Sequence, residues 1–243
     1  MKVDQAYAKG FFDLQLEFAE MVSALSGLPF ARAVLEYTNF YIRFGFGRDF
    51  DPTHSRWREY LAGLLDTDDR QDWTYRFYMQ QSHTVAPPGV VATFGCFSYA
   101  LLSSDRIRLH FQDSDGDGRS PLGTERRDKR VAELAALFAD VRHTTRTPVR
   151  VVGASWLYNV AAYRRLFPES YLATAQAIQH RFRHMPLWGQ FVNRHGEVRE
   201  NMARQFRERL GRQSSLEGLD HCFPFQVLSL EAPVLDFYHF YGV

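Results

Sequence analysis

The sequence predicts an α/β protein: a mixed, largely parallel sheet flanked by helices, preceded by an N-terminal helical subdomain. Three observations lead there. Residues 4–81 carry apolar side chains at helical spacing and few strand-like runs. The breaker Pro87-Pro88-Gly89 then marks a change of character. Beyond it, short β-branched runs alternate with amphipathic segments across 106–230, as strands joined by crossover helices do. The expected organisation is a helical region, lid or subdomain, over 1–86 and an α/β domain over 87–243.

Taken in order, Phe11, Leu14, Phe18, Val22 and Leu25 give a first helix over 4–26, ended by Gly27 and Pro29. A second helix is expected over 30–44, broken by GFGRDFDP. Thr53 or Ser55 is suited to cap a third helix through Leu65, and Asp68 or Asp69 a fourth through Gln81. The run VVATFGCFSYALL (90–102) reads as a strand with a bulge or bend at Gly95, and 107–111 as its hairpin partner. A polar loop, QDSDGDGRSPLG, leads to a helix over 124–143 whose stripe is Val131, Leu134, Phe138 and Val141. A strand over 149–154 follows, then helices across 160–184 and a third strand at LWGQFV (187–192). A charged helix over 197–210 ends at Gly211, FQVLSL (225–230) is the last strand, and the aromatic tail docks on the body.

Composition narrows the function. Basic and acidic side chains balance at a net charge of +1, which argues against a general nucleic-acid binder. Hydrophobic residues make up 45%, enough to fill a core. Cys96 and Cys222 lie far apart in apolar surroundings, so two buried free thiols and a reducing cytoplasm are expected. The first residues hold no apolar signal-like stretch, and no run approaches the roughly 18 apolar residues of a membrane span.

Ligands of open α/β sheets sit beyond the carboxyl ends of strands. That rule selects three loops: the one after His110, the joint Ser155–Asn159, and the turn Asn193–Glu197. His110, Asn159 and Arg194 are therefore expected around one pocket. At the joint, Trp156 and Tyr158 are placed to flank a ligand, while Asn159 suits a helix cap. Arg119, Arg164, Arg165 and Arg194 gather near these loops, which points to an anionic small-molecule substrate. Ser155 lacks a Gly-x-Ser-x-Gly elbow, and neither a Walker loop nor a dinucleotide fingerprint is present. DSDGDG (113–118) imitates a calcium loop, but position twelve is Thr124, so a solvated turn is the preferred reading. His180 and His184 have a zinc-like spacing without a third ligand nearby. No metal ligand set is assigned and the cofactor stays open.

Two strings resemble known families. NRHGEVREN (193–201) resembles the signature of the histidine phosphatase superfamily. That resemblance implies His195 as the phosphate-accepting nucleophile and Arg194 as the phosphate holder. The strand over 149–154, followed by Asn159, Ala162 and an aromatic-leucine ending, resembles the late strand and helix of GNAT-type acetyltransferases. By that resemblance, helix 124–142 is the cofactor-pyrophosphate helix and GDGRSPLGTERR its loop, without the family's Arg/Gln-x-x-Gly-x-Gly spacing. The first expectation is an acyltransferase, with His110 and His195 as catalytic candidates and Trp156, Tyr158, Asn159, Arg164 and Arg194 as substrate-binding ones. A phosphatase or phosphotransferase at the RHGE turn is the alternative. A non-catalytic binding protein, dimeric through its aromatic helices, is the third.

Overall fold

The computed structural model describes residues 6–81, 89–145, 148–178 and 186–243. The described helices are α1 (Lys9–Ser26), α2 (Phe30–Tyr37), α3 (Phe40–Arg43), α4 (Ser55–Asp66), α5 (Arg70–Met79), α6 (Arg127–Thr144), α7 (Ala161–Arg164), α8 (Glu169–Leu172), α9 (Glu200–Leu210) and α10 (Val234–Tyr241). The strands are β1 (Val90–Phe94), β2 (Phe97–Ser103), β3 (Arg106–Phe111), β4 (Arg150–Ser155), β5 (Gln176–Ala177) and β6 (Leu228–Pro233). The chain divides into two compact units, Met1–Ala86 with Gln179–Phe225, and Pro87–Ile178 with Gln226–Val243. The second unit is thus interrupted: 179–225, read from sequence as part of the α/β domain, folds with the N-terminal helices.

The helical unit is built on aromatic packing. Phe12 meets Tyr78 with ring centroids 4.5 Å apart, Phe44 meets Tyr60 at 4.9 Å, and Trp188 meets Phe223 at 5.0 Å. The aromatic residues of α1 are buried within this unit, so the dimer expectation draws no support from them. The expected helix over 30–44 breaks at Thr38-Asn39, where Thr38 Oγ1 accepts the Phe40 N–H at 3.2 Å and the buried Gln15 accepts the Asn39 N–H at 2.8 Å. Asp69 caps α5 by accepting the Asp72 N–H. His54 stands at the N-cap of α4, while Thr53 folds back onto Asp51. LWGQFV is not a strand: Pro186–Phe191 forms a 3-10 turn. Consecutive Leu187 and Trp188 are both buried, which an alternating strand does not allow, and Trp188 Nε1 donates to the Tyr37 carbonyl.

The α/β unit holds one six-stranded sheet in the order β1-β2-β3-β4-β6-β5. It is mixed, but not largely parallel. Among the described residues β3–β4 is the one parallel pair, joined by α6, and the other four pairings are antiparallel. The reason lies in the turns. Gly95, at φ 59, closes a tight hairpin instead of bulging one long strand, so 90–111 becomes a three-stranded meander. The helices of this unit pack on one face of the sheet, not both. Leu134, Leu137, Phe138 and Val141 of α6, with Tyr163, Tyr171 and Phe237, share a core with Tyr99, Ile107, Leu109, Val151 and Leu230. The aromatic tail forms α10, and its Phe237 stacks on Phe138 at 4.6 Å.

Candidate active site

The one parallel pair does not stay paired. Its ladder has three rungs, Arg106↔Arg150, Ile107↔Val151 and Arg108↔Val152. Both strands then run on, β3 as Leu109–Phe111 alongside β2 and β4 as Gly153–Ser155 alongside β6. A seam therefore opens at the carboxyl ends of β3 and β4, the edge where open sheets place their ligands.

Alternation assigns the side chains at this seam. Ile107, Leu109 and Phe111 belong to the helix-covered core, so Arg106, Arg108 and His110 point to the opposite face. On that face His110 stands opposite Ser98 of β2, and across the seam Ala154 stands opposite Ser229 of β6. Arg108 is opposite Ala100 on one side and Val152 on the other. Its Nε is buried, and no hydrogen bond or ion pair reaches it from the described residues. Sequence reading overlooked Arg108 because it sits inside a strand and not in a loop.

On the core side, Gly153 leaves room for two tyrosines. The hydroxyls of Tyr158 and Tyr171 are 2.8 Å apart, and a Cβ on Gly153 would collide with both. Burial pushes the pKa of Tyr158, Tyr163, Tyr171 and Tyr241 up, so all four hydroxyls are neutral at physiological pH. Tyr158 is thus a core residue. Asn159 is structural too: its Nδ2 donates to the carbonyls of Trp156 and Gln226, each at 2.8 Å. Trp156 is partly buried at the start of a 3-10 turn, and Ser155 closes that turn by accepting the Leu157 N–H. Arg164 is exposed. Arg165 instead reaches back to hold the carbonyls of Leu122 and Gly123 at 3.0 and 2.9 Å, fixing the loop before α6.

The aspartate loop is locked by ion pairs. Arg130, 1% exposed, bonds Asp115 and Glu133, and Lys129 and Arg126 add to the same group. Burial alone would raise the Asp115 carboxyl; hydrogen bonds and charges from Lys129 and Arg130 outweigh it and bring it down to about 2. Glu133 also accepts the Cys96 N–H at 3.1 Å, which ties the β1–β2 turn to α6. Ligand atoms of Cys96, Asp113 and Asp115 lie within 4.8 Å of one another, as in a metal site. A guanidinium and an ammonium already occupy Asp115, and Asp113 and Asp117 accept backbone N–H groups of their own loop. The cluster reads as an ion-pair knot that shapes the loop.

The RHGE turn is carried by the helical unit, not by a strand edge of the sheet. Asn193 Oδ1 accepts the N–H groups of His195 and Glu197, and Arg194 Nε donates to exposed His195 Nε2 at 2.9 Å. Gly196, at φ 73, lies where a Cβ would meet the Ala6 carbonyl oxygen at 2.5 Å. The glycine of the string thus serves a turn and a close backbone approach. Arg194 and His195 belong to one compact unit, and His110 and Asn159 to the other. His180 and His184 lie outside the described residues.

An open groove of about 490 Å³ lies between α1 and α9, lined by Glu17, Glu20, Met21, Arg207 and Leu210. Its rim is closed on itself, because Arg207 bonds both oxygens of Glu17. Among the described residues no helix is long and apolar enough to cross a membrane. Comparison with protein-family models, curated proteins and solved structures finds no match to this chain.

Proposed function

We propose that the protein is a cytoplasmic small-molecule acyltransferase whose site is the opened seam between β3 and β4. The observation that carries this reading is the seam itself, a parallel pair that parts after three rungs, with the crossover helix α6 leaving from the carboxyl end of β3. Parted strand edges accept a ligand arm bearing amide groups much as they accept an added strand. The positive end of the α6 dipole favours phosphate, with exposed Arg119 and Arg127 nearby in sequence. An amide-bearing arm and a pyrophosphate are the features of an acyl-CoA, the donor that the acetyltransferase resemblance implies. Two buried, unpaired cysteines fit a reducing compartment.

In this reading His110 is the general base. Its imidazole takes a proton from an acceptor amine as the nitrogen attacks the thioester carbonyl. The new bond is C–N, the broken bond is C–S, and the departing thiolate is protonated by solvent. Histidine is the side chain most often used for such a proton transfer.

A thermal-shift panel of acyl-CoAs, followed by a thiol-release assay, tests the proposal. A donor at a hundred times its dissociation constant should stabilise the protein by about 2.7 kcal/mol. His110→Ala should keep that shift and lower transfer by about 10²–10⁴. A panel in which no acyl-CoA stabilises the protein, or a His110→Ala variant with full transfer, refutes it.

A further inference from the structure

Arg108 precedes His110 by two residues, so the two side chains leave β3 on the same face. It stands at the last rung before the seam opens. Its cross-strand neighbours, Ala100 and Val152, carry no charge, and the next acid along that rung, Glu231, is engaged by Arg150 and Arg106. Arg108 therefore presents a guanidinium with a buried Nε and no partner among the described residues. Arg108 is partly buried, and its Nε is a donor left to satisfy, which a ligand carboxylate can meet while also balancing the charge.

We infer that Arg108 binds a carboxylate on the acceptor, making it the residue that selects amino-acid-like acceptors for transfer at His110. The inference rests on the acyltransfer reading. One guanidinium balances one carboxylate in the planar two-point contact that suits it. A phosphate would need further donors, and the two other arginines of this face, Arg106 and Arg150, are tied to Glu231.

The test follows the Arg108 Nε–H cross-peak by NMR, assigned from its loss in Arg108→Lys, or in Arg108→Gln if the lysine variant does not fold. The probes are acetate, glycine and phenylalanine, each against its carboxamide, with inorganic phosphate alongside. The carboxylates should move the cross-peak and the carboxamides should not. In the thiol-release assay with acetyl-CoA, Arg108→Gln should raise the acceptor KM on the order of 100-fold with kcat nearly unchanged. A cross-peak that no carboxylate moves, one that moves equally with the amides, or one that moves with phosphate alone overturns the inference. Acetyl-CoA binding is read separately from the Gly153 amide. If that amide ignores acetyl-CoA while carboxylates still move Arg108, the transferase reading fails and the carboxylate site stands.

Discussion

Replacing Gly153 by alanine adds one methyl group where two buried tyrosine hydroxyls meet. The new Cβ would lie 2.7 Å from Tyr158 Cζ and closer still to the hydroxyl oxygens of Tyr158 and Tyr171. Neither ring has an outlet, since Tyr158 is 2% exposed and Tyr171 0%. Relief requires one ring to move, which costs about 1–3 kcal/mol of overpacking and about 1 kcal/mol for the 2.8 Å hydrogen bond between them. A loss of about 3 kcal/mol is expected in urea denaturation followed by tyrosine absorbance. Because burial pushes both tyrosines' pKa up, neither ionises in this range and the loss should be constant from about pH 6 to 9. Tyr171→Phe removes one of the colliding oxygens, so it should cost less in the Gly153→Ala background than alone. A Gly153→Ala protein as stable as wild type, or strictly additive costs in the double variant, would refute the packing argument.

Further outcomes follow from the same contacts. Arg130→Met strands two carboxylates that now share a guanidinium, and should cost about 3–5 kcal/mol in the same assay. Asp115 is held at about 2 against an ordinary 3.8, so its contribution is complete above pH 3.8 and is lost as pH falls through 2. Allowing for solvent screening, that is about 1 kcal/mol, and an Asp115→Asn variant should lack this part of the acid dependence. Asn159→Ala removes two side-chain bonds to carbonyls and should cost about 1–2 kcal/mol without changing acetyl-CoA affinity, as calorimetry would register.

Much of the fold is legible in local pattern. Gly27 ends α1 in the left-handed conformation, Asp69 caps α5, and the stripe Leu134, Phe138 and Val141 names the buried side of α6. Strand direction is not legible in this way, because alternation gives a side chain's face and says nothing of its neighbour's orientation. That is why the sheet was expected to be largely parallel. Gly95 reads equally well as bulge or turn until Phe94 is found opposite Phe97. LWGQFV has strand-like composition, but Gly189 and the buried pair Leu187-Trp188 suit a 3-10 turn. At the site, His110 could be named from its place near a strand's end. Arg108 could not, since its lack of a counter-ion depends on a register that sets Ala100 and Val152 beside it. Tyr158 packs in the core and Asn159 bonds two carbonyls, but polar groups at a strand–helix joint look the same in sequence whether they hold a ligand or the fold.

The central claim is that the parted edges of β3 and β4 receive an acyl donor. Amide hydrogen exchange with and without saturating acetyl-CoA tests it most directly. Protection of about tenfold or more should appear at Leu109–Phe111 and Gly153–Ser155, with the ladder residues Arg106–Arg108 unchanged. Acetyl-CoA that fails to bind, or that binds and leaves the amides of both parted segments unaltered, would contradict the account.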